Sequence, residues 1–151
     1  MQQVITDEIS LYAALSGQWA NKNLDSSEKF YLGGSSGVRA YPGSEAGGAA
    51  GQLLNLELRW RLPQSFNLTG FYDYGQVSVN ANNNFTGAPL LNNYSLKGAG
   101  LTLVWQGNAG LNLKATWARR IAANPNPTAA GNDQDGSLVS NRFWLTASLP
   151  F

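Results

Sequence analysis

Arg39 and Asp73 are the two charged residues whose surroundings set them apart. Arg39 lies in Phe30-Tyr31-Leu32-Gly33-Gly34-Ser35-Ser36-Gly37-Val38-Arg39-Ala40-Tyr41-Pro42, a Gly/Ser-rich stretch with one guanidinium in it. Asp73 lies in Gly70-Phe71-Tyr72-Asp73-Tyr74-Gly75, a lone acid in a strand-like run. The chemistry open to them is electrostatic, because a guanidinium fork matches the two oxygens of a carboxylate and such a pair is hard to split once shielded from water. Glycines this dense let backbone approach backbone, so the loop motif Gly33, Gly34, Val38, Arg39, Ala40 and Tyr41 reads as folded against something. Phe71, Asp73 and Gly75 form the wall motif it would meet. The plain alternative is a mobile surface loop with a solvated arginine and an unpaired wall carboxylate.

Little else in the chain could do chemistry. There is no histidine and no cysteine, which removes imidazole acid–base work, thiol nucleophiles, disulfides and the commonest soft metal ligands. The scattered Asp and Glu form no recognisable acid pair, so no enzyme, metal site or cofactor is expected. A formal net charge of +1 without a run of Lys or Arg argues against nucleic acid. No nucleotide-binding role is expected either. Charged residues make up only 13% of the chain, against roughly 25% in an ordinary soluble domain.

The elements that must position the pair are strands. Leu11, Ala13, Leu15, Gly17 and Trp19 alternate with Ser10, Tyr12, Ser16 and Gln18 over residues 8–20. Residues 52–62 alternate most clearly, with Leu54, Leu56, Leu58, Trp60 and Leu62 against Asn55, Glu57, Arg59 and Arg61. A strand over 66–78 puts Phe66, Leu68, Tyr72 and Tyr74 on one face and Thr69, Phe71 and Asp73 on the other. Further strands are expected over 93–106, with a bulge or bend at Gly98-Ala99-Gly100, and over 110–122. In the latter, Leu111, Leu113, Ala115 and Trp117 oppose Asn112, Lys114, Thr116 and Arg120. A last strand running to the terminus carries Phe143, Leu145, Ala147, Leu149 and Phe151 on one face. No helix is needed, and no apolar stretch is long enough for a transmembrane helix.

The connections alternate long and short: 21–51, 63–65, 79–92, 107–109 and 123–138. Strands of about 9–11 residues or slightly more, joined by short turns at one end and long loops at the other, form the outer-membrane hairpin pattern. Trp19 and Trp117 then fall at the outer ends of their strands and Trp60 and Trp105 at the inner ends, as two aromatic girdles require. A soluble β-sandwich or barrel whose apolar faces meet is the competing architecture. Six strands leave open edges that lipid does not tolerate, so more strands are expected outside this chain. Met1-Gln2-Gln3-Val4 carries no secretory signal, and the N-terminal part is read as missing.

These residues resemble the outer-membrane transporters of two-partner secretion, the hemolysin secretion/activation (ShlB/FhaC/HecB) type. The likeness rests on Lys29-Phe30-Tyr31-Leu32-Gly33-Gly34 leading into Val38-Arg39-Ala40-Tyr41-Pro42, then Glu45, then Gly51-Gln52-Leu53-Leu54-Asn55-Leu56-Glu57-Leu58-Arg59. It continues in Phe71-Tyr72-Asp73-Tyr74-Gly75 and ends on Phe151. The resemblance implies an all-β, antiparallel, up-and-down transmembrane barrel of sixteen strands, of which this chain would supply about the last six. Two POTRA domains and a plug helix would precede it. It implies that the loop at 21–51 folds into the lumen with Arg39 reaching Asp73, and that Phe143, Leu145, Leu149 and Phe151 form a C-terminal signal for the barrel-assembly machinery. One departure is Ala40, where the family pattern has glycine. At a positive φ, alanine costs on the order of 1 kcal/mol and would loosen the loop tip.

The expected function is therefore a bacterial outer-membrane pore that passes a secreted partner polypeptide, in contact with outer-membrane lipid. Asn55, Glu57, Arg59, Arg61, Thr69, Asn112, Lys114, Thr116 and Arg120 would line a lumen of mixed sign, able to solvate a passing backbone. A passive porin predicts conductance set by constriction charges. A soluble carbohydrate-binding module, using its tryptophans on sugars, predicts a chain that needs no detergent.

Overall fold

The period-two alternation builds strands wherever one row of side chains is greasy and the other wet. In the computed structural model, which describes residues 1–150, these are β1 (Gln2–Val4), β2 (Ile9–Gln18), β3 (Phe30–Tyr31), β4 (Gly47–Gly48), β5 (Ala50–Leu62), β6 (Phe66–Ser78), β7 (Asn93–Gln106), β8 (Asn112–Arg120) and β9 (Asn141–Ser148). Seven of them form one antiparallel sheet in the order β1-β2-β5-β6-β7-β8-β9. The small β3–β4 ribbon belongs to the first long connection. Among the described residues there is no α-helix, only a single 3-10 turn at Asn108–Gly110.

Every neighbour in the sheet is a sequence neighbour, so the chain runs up and down. Short turns close the β5–β6 and β7–β8 hairpins at one end, and the long connections 19–49, 79–92 and 121–140 gather at the other. Pairing register fixes what faces what: Asn55 stands opposite Asp73, Glu57 opposite Phe71, and Asp73 opposite Gly98.

The two faces of the sheet differ sharply. On one, Leu15, Leu58, Leu101, Leu103, Phe143 and Leu145 are exposed, Leu145 at 81%. No second layer covers that row among the described residues, contrary to what a soluble sandwich requires. Along β5 the apolar run from Leu54 to Leu62 is roughly 27 Å long at about 3.4 Å per residue, or ~20 Å along the normal at a 40° tilt, close to the ~25 Å apolar band of outer-membrane barrels. Toward the long loops the same face turns polar at Gln52, Gln76, Lys97, Arg119 and Asn141.

The core lies on the opposite face. Leu32, Val38, Ala40, Tyr41 and Ala46 of the first long connection pack on Leu53, Phe71, Val77, Leu96 and Ala118 of the sheet. A 30-residue-scale loop thus does what a second sheet would do in a sandwich: it covers the inner wall.

Several expectations change. A seventh strand, β1, pairs with β2 where none was expected. The bulge at Gly98-Ala99-Gly100 is absent, since β7 keeps unbroken register with β6 there; Gly98 instead makes room for the loop and Gly100 for the Phe71 ring and the β8 backbone. The last strand ends at Ser148, so Leu149 lies beyond it, and Phe151 lies outside the described residues. Phe143 and Leu145 are on the outward face, as the alternation had them.

Candidate functional site

The loop tip is folded before it meets the wall. Gly34 adopts φ +104°, which turns the chain back, so that the Val38 amide donates to the Leu32 carbonyl at 2.6 Å, the Tyr41 amide to Val38 at 3.0 Å and the Gly34 amide to Tyr41 at 3.0 Å. Leu32, Val38, Ala40 and Tyr41 are thereby all fully buried, and Arg39 alone is aimed along the wall. Burying four apolar side chains contributes on the order of 1.5–3 kcal/mol for each of the larger ones, before ordering entropy is subtracted.

Two wall glycines make that approach possible. A Cβ on Gly75 would stand 2.8 Å from Leu32 Cδ2, and one on Gly98 would stand 2.7 Å from the Ala40 Cβ. Ala40 itself is outside the left-handed region, so the expected backbone penalty for alanine does not arise. Its methyl is seated over Gly98.

Arg39 then meets a prepared set of acceptors. Its Nε donates to Asp73 Oδ2 at 2.9 Å and its Nη2 to Asp73 Oδ1 at 2.8 Å, a bidentate fork, while the Arg39 backbone amide adds a third bond to Oδ2 at 3.0 Å. Nη1 donates to Glu57 Oε1 at 2.9 Å, and the guanidinium lies 3.5 Å from the Phe71 ring centroid. Asn55 donates to Asp73 Oδ1 at 2.8 Å and to the Gly37 carbonyl at 3.2 Å, tying wall acid and loop backbone together. Trp144 donates its indole N–H to the Arg39 carbonyl at 2.8 Å. Asp73 is fully buried and Arg39 is 6% exposed, so these bonds are little screened. Burial pushes the arginine toward losing its proton, but Asp73 and Glu57 outweigh it and raise its pKa above the ordinary value.

The chain of charges continues along the wall. Glu57 Oε2 accepts from Arg59 Nη2 at 2.7 Å, and Arg59 stacks 4.1 Å from the Tyr12 ring centroid. Asp73, Arg39, Glu57 and Arg59 alternate in sign, which leaves the group neutral. Beyond it lies a polar concavity of about 400 Å³ bounded by Arg39, Glu57, Arg59, Thr69, Thr102 and Lys114.

A second cluster joins the first long loop to the third. Arg120 pairs with the fully buried Asp133, donates to the Ala40 carbonyl at 3.3 Å and stacks 4.4 Å from the Tyr41 ring centroid. Asn124 Nδ2 donates to Glu45 Oε1 and Asp133 Oδ1, both at 3.0 Å, and the Gln134 amide donates to Glu45 Oε2 at 2.9 Å. Tyr41 donates its hydroxyl to the Ala122 carbonyl at 3.0 Å, and burial raises its pKa.

The structure thus brings Gly33, Gly34, Val38, Arg39, Ala40 and Tyr41 against Phe71, Asp73 and Gly75. Among the wall residues, Asn55, Glu57 and Arg120 are engaged with the loop rather than open, whereas Arg61 and Lys114 stay exposed. Sequence reasoning missed Trp144, Asn124 and Asp133. Trp144 carried a signal, since it is an aromatic in the polar phase between Phe143 and Leu145. Asn124 and Asp133 carried none, because a contact between two loops leaves no periodicity. Among the described residues no group of acids could hold a metal ion.

Comparison with known proteins bears on the family and the fold. Residues 1–104 match the family described as haemolysin secretion/activation protein ShlB/FhaC/HecB. The heme/hemopexin transporter protein HuxB of Haemophilus influenzae (strain Rd) is 34% identical over 151 residues, 96% of this chain and 25% of that protein. HuxB of strain 86-028NP is 32% identical over 118 residues, 74% of this chain and 21% of that one. The chain therefore spans about a quarter of the length of the curated relatives it matches. Among solved structures, CdiB from Acinetobacter baumannii shares the fold, with a TM-score of 0.65 at 24% identity over 83% of this chain and 22% of that one. With a family match over most of its length and an antiparallel sheet that carries an inserted, arginine-anchored loop, the chain belongs to the ShlB/FhaC/HecB family of two-partner secretion transporters.

Proposed function

We propose that this chain is the C-terminal portion of an outer-membrane barrel that conducts an unfolded partner polypeptide from the periplasm to the cell surface. The observation that carries this reading is the buried Arg39–Asp73–Glu57 group, which holds connection 19–49 on the polar face of the sheet. In a closed barrel that face is the lumen, and the exposed leucine row faces lipid. A barrel of sixteen strands, with two POTRA domains and a plug helix preceding this portion, is the architecture proposed for the whole protein. The terminal strand with Phe143, Leu145, Leu149 and Phe151 would address the barrel-assembly machinery.

A lumen of mixed sign suits a polypeptide. Arg61 and Lys114 stay exposed, Asn112 is half-buried, the loop-bound groups are already neutralised and the buried Thr102 and Thr116 hydroxyls bond each other, so no single charge dominates the wall. Such a wall solvates a moving backbone and holds it weakly. No nucleotide or covalent step is needed.

The test is secretion by the full-length transporter. Arg39→Ala and Asp73→Ala are expected to leave the barrel inserted and folded, by heat-modifiable migration, while lowering the amount of cognate exoprotein in the medium at least tenfold. Wild-type secretion by both variants would reject the role assigned to the inserted loop. Conductance that is unchanged by a cognate exoprotein would instead support a passive porin.

A further inference from the structure

On the outward face of the sheet, just above the apolar band, two cations stand where lipid headgroups would lie. Lys97 is on β7 and Arg119 on β8, and because Arg119 pairs with Ala99 the two are diagonal neighbours on one face. Such diagonal pairs lie roughly 7–8 Å apart, close enough for one phosphate to touch both. Among the described residues neither makes an ion pair, although every other arginine in β5–β9 except Arg61 does. Lys97 has only the Tyr74 ring, 5.7 Å from its ammonium. Two like charges side by side at the edge of a low-dielectric layer repel, and an anion between them reverses the sign of that interaction.

Beside Arg119 the apolar surface is hollow. A depression of about 610 Å³ is bounded by Gly70, Ala99, Leu101, Trp117, Arg119 and Ile121. Its floor is open because the small residues Gly70 and Ala99 leave it so: a Cβ on Gly70 would meet only Leu101 Cδ2, at 3.9 Å. An apolar trough with Trp117 on one wall, Arg119 on its rim and Lys97 diagonal to Arg119 matches an acyl chain beside a phosphorylated headgroup.

We propose that Lys97 and Arg119, with this trough, bind one phosphorylated lipid of the outer leaflet. The site rests on the membrane orientation given above: the long-loop end must face the cell surface. It lies on the wall that backs Phe71 and Ala118, so an occupied trough would stiffen the same strands that carry the loop from inside.

Native mass spectrometry of the detergent-solubilised full-length protein, titrated with bis-phosphorylated lipid A, reads this directly. The wild type is expected to bind one lipid A, and the Lys97→Ala/Arg119→Ala variant to bind at least tenfold more weakly. Gly70→Leu, whose Cβ meets nothing nearer than Leu101 Cδ2 at 3.9 Å and whose side chain extends into the trough, is expected to weaken binding as well. Lys114→Ala, which removes a cation from the opposite face, is expected to bind as wild type does. Dephosphorylated lipid A should lose affinity, and inorganic phosphate alone should not compete. Equal binding by the double variant, or an equal loss in Lys114→Ala, overturns the proposal. Heat-modifiable migration of each sample separates that outcome from failure of the membrane reading, in which the wild type itself would not behave as an inserted barrel.

Discussion

The inserted loop is held at two places, and the two are built differently. At the wall seat, Arg39 meets Asp73 and Glu57, and Asn55 braces Asp73, all on β5 and β6, whose relative positions are fixed by unbroken pairing. At the outer latch, Glu45 meets Asn124 and Gln134, and Asp133 meets Arg120, so one side of the contact is a second loop. Both places bury carboxylates, with Asp73 and Asp133 fully covered and Glu45 1% exposed. What differs is the rigidity behind them. The sheet supplies the geometry of the seat, whereas the latch stands on tight turns within 121–140, such as Thr128 to Asn132 and Asp133 to Ser137. A seat on paired strands opens only when its own bonds break, while a latch between loops also opens whenever either loop frays.

The largest effect that separates the two should come from Asp73→Ala. It strands the arginine fork and a backbone amide in a buried site, a loss of about 3–5 kcal/mol in the local opening free energy. Hydrogen exchange at the Leu32, Gly33 and Val38 amides should accelerate more than a hundredfold, with β6 and β7 amides unchanged. Protection that survives at those three amides would show that the latch alone retains the loop. Next in size is Gly75→Leu, which puts a side chain where Leu32 already lies and should cost about 1–3 kcal/mol through overpacking. Thermal unfolding of the inserted barrel would then fall in temperature while Arg39 keeps its charges paired.

A smaller loss is expected at the latch. Asn124→Ala removes one donor shared by Glu45 and Asp133, worth about 1–2 kcal/mol, because Gln134 and Arg120 still satisfy each acid in part. Protease nicking within 121–140 should rise several-fold, with exchange at Val38 close to wild type. If Val38 opens as readily as in Asp73→Ala, the two sites act as one unit and the comparison fails.

The seat was more legible in the sequence than the latch for the same reason that it is more rigid. Strand alternation placed Asp73, Phe71, Asn55 and Glu57 on one face, since a period-two pattern determines facing once the strand is recognised. The glycine-rich motif marked Arg39 as folded against something, and Gly75 now has its explanation in Leu32. What alternation could not supply was the identity of cross-loop partners: Asp133 lies far from Arg39 in sequence, in a stretch of Asn, Pro and Gly that signals turns and nothing about where they dock. Gly98 and Gly100 misled for a related reason, because glycine in a strand announces either a bulge or a close neighbour, and here the neighbours are the loop at Gly98 and the Phe71 ring at Gly100. Trp144, in the polar phase between Phe143 and Leu145, was legible as an inward aromatic, but nothing in the pattern named the Arg39 carbonyl as its partner.

The finest distinction between seat and latch is their response to acid. At Asp135, on the latch side, burial alone would raise the pKa, but hydrogen bonds from the Ser137 hydroxyl and amide and from Arg142 outweigh it and hold the carboxyl at about 2. A depressed folded-state pKa means that the stabilisation is fully present above the ordinary carboxylate value near 4 and is lost as pH falls through about 2. The side chain is a third exposed, so solvent screens the pair with Arg142 and the effect is small. Protease sensitivity of 121–140, followed from pH 5 to pH 2 at constant ionic strength, should climb more in the wild type than in Asp135→Asn, which has no such proton to gain. Identical profiles for the two proteins would remove Asp135 as the source of the acid response and leave the latch without this distinction from the seat.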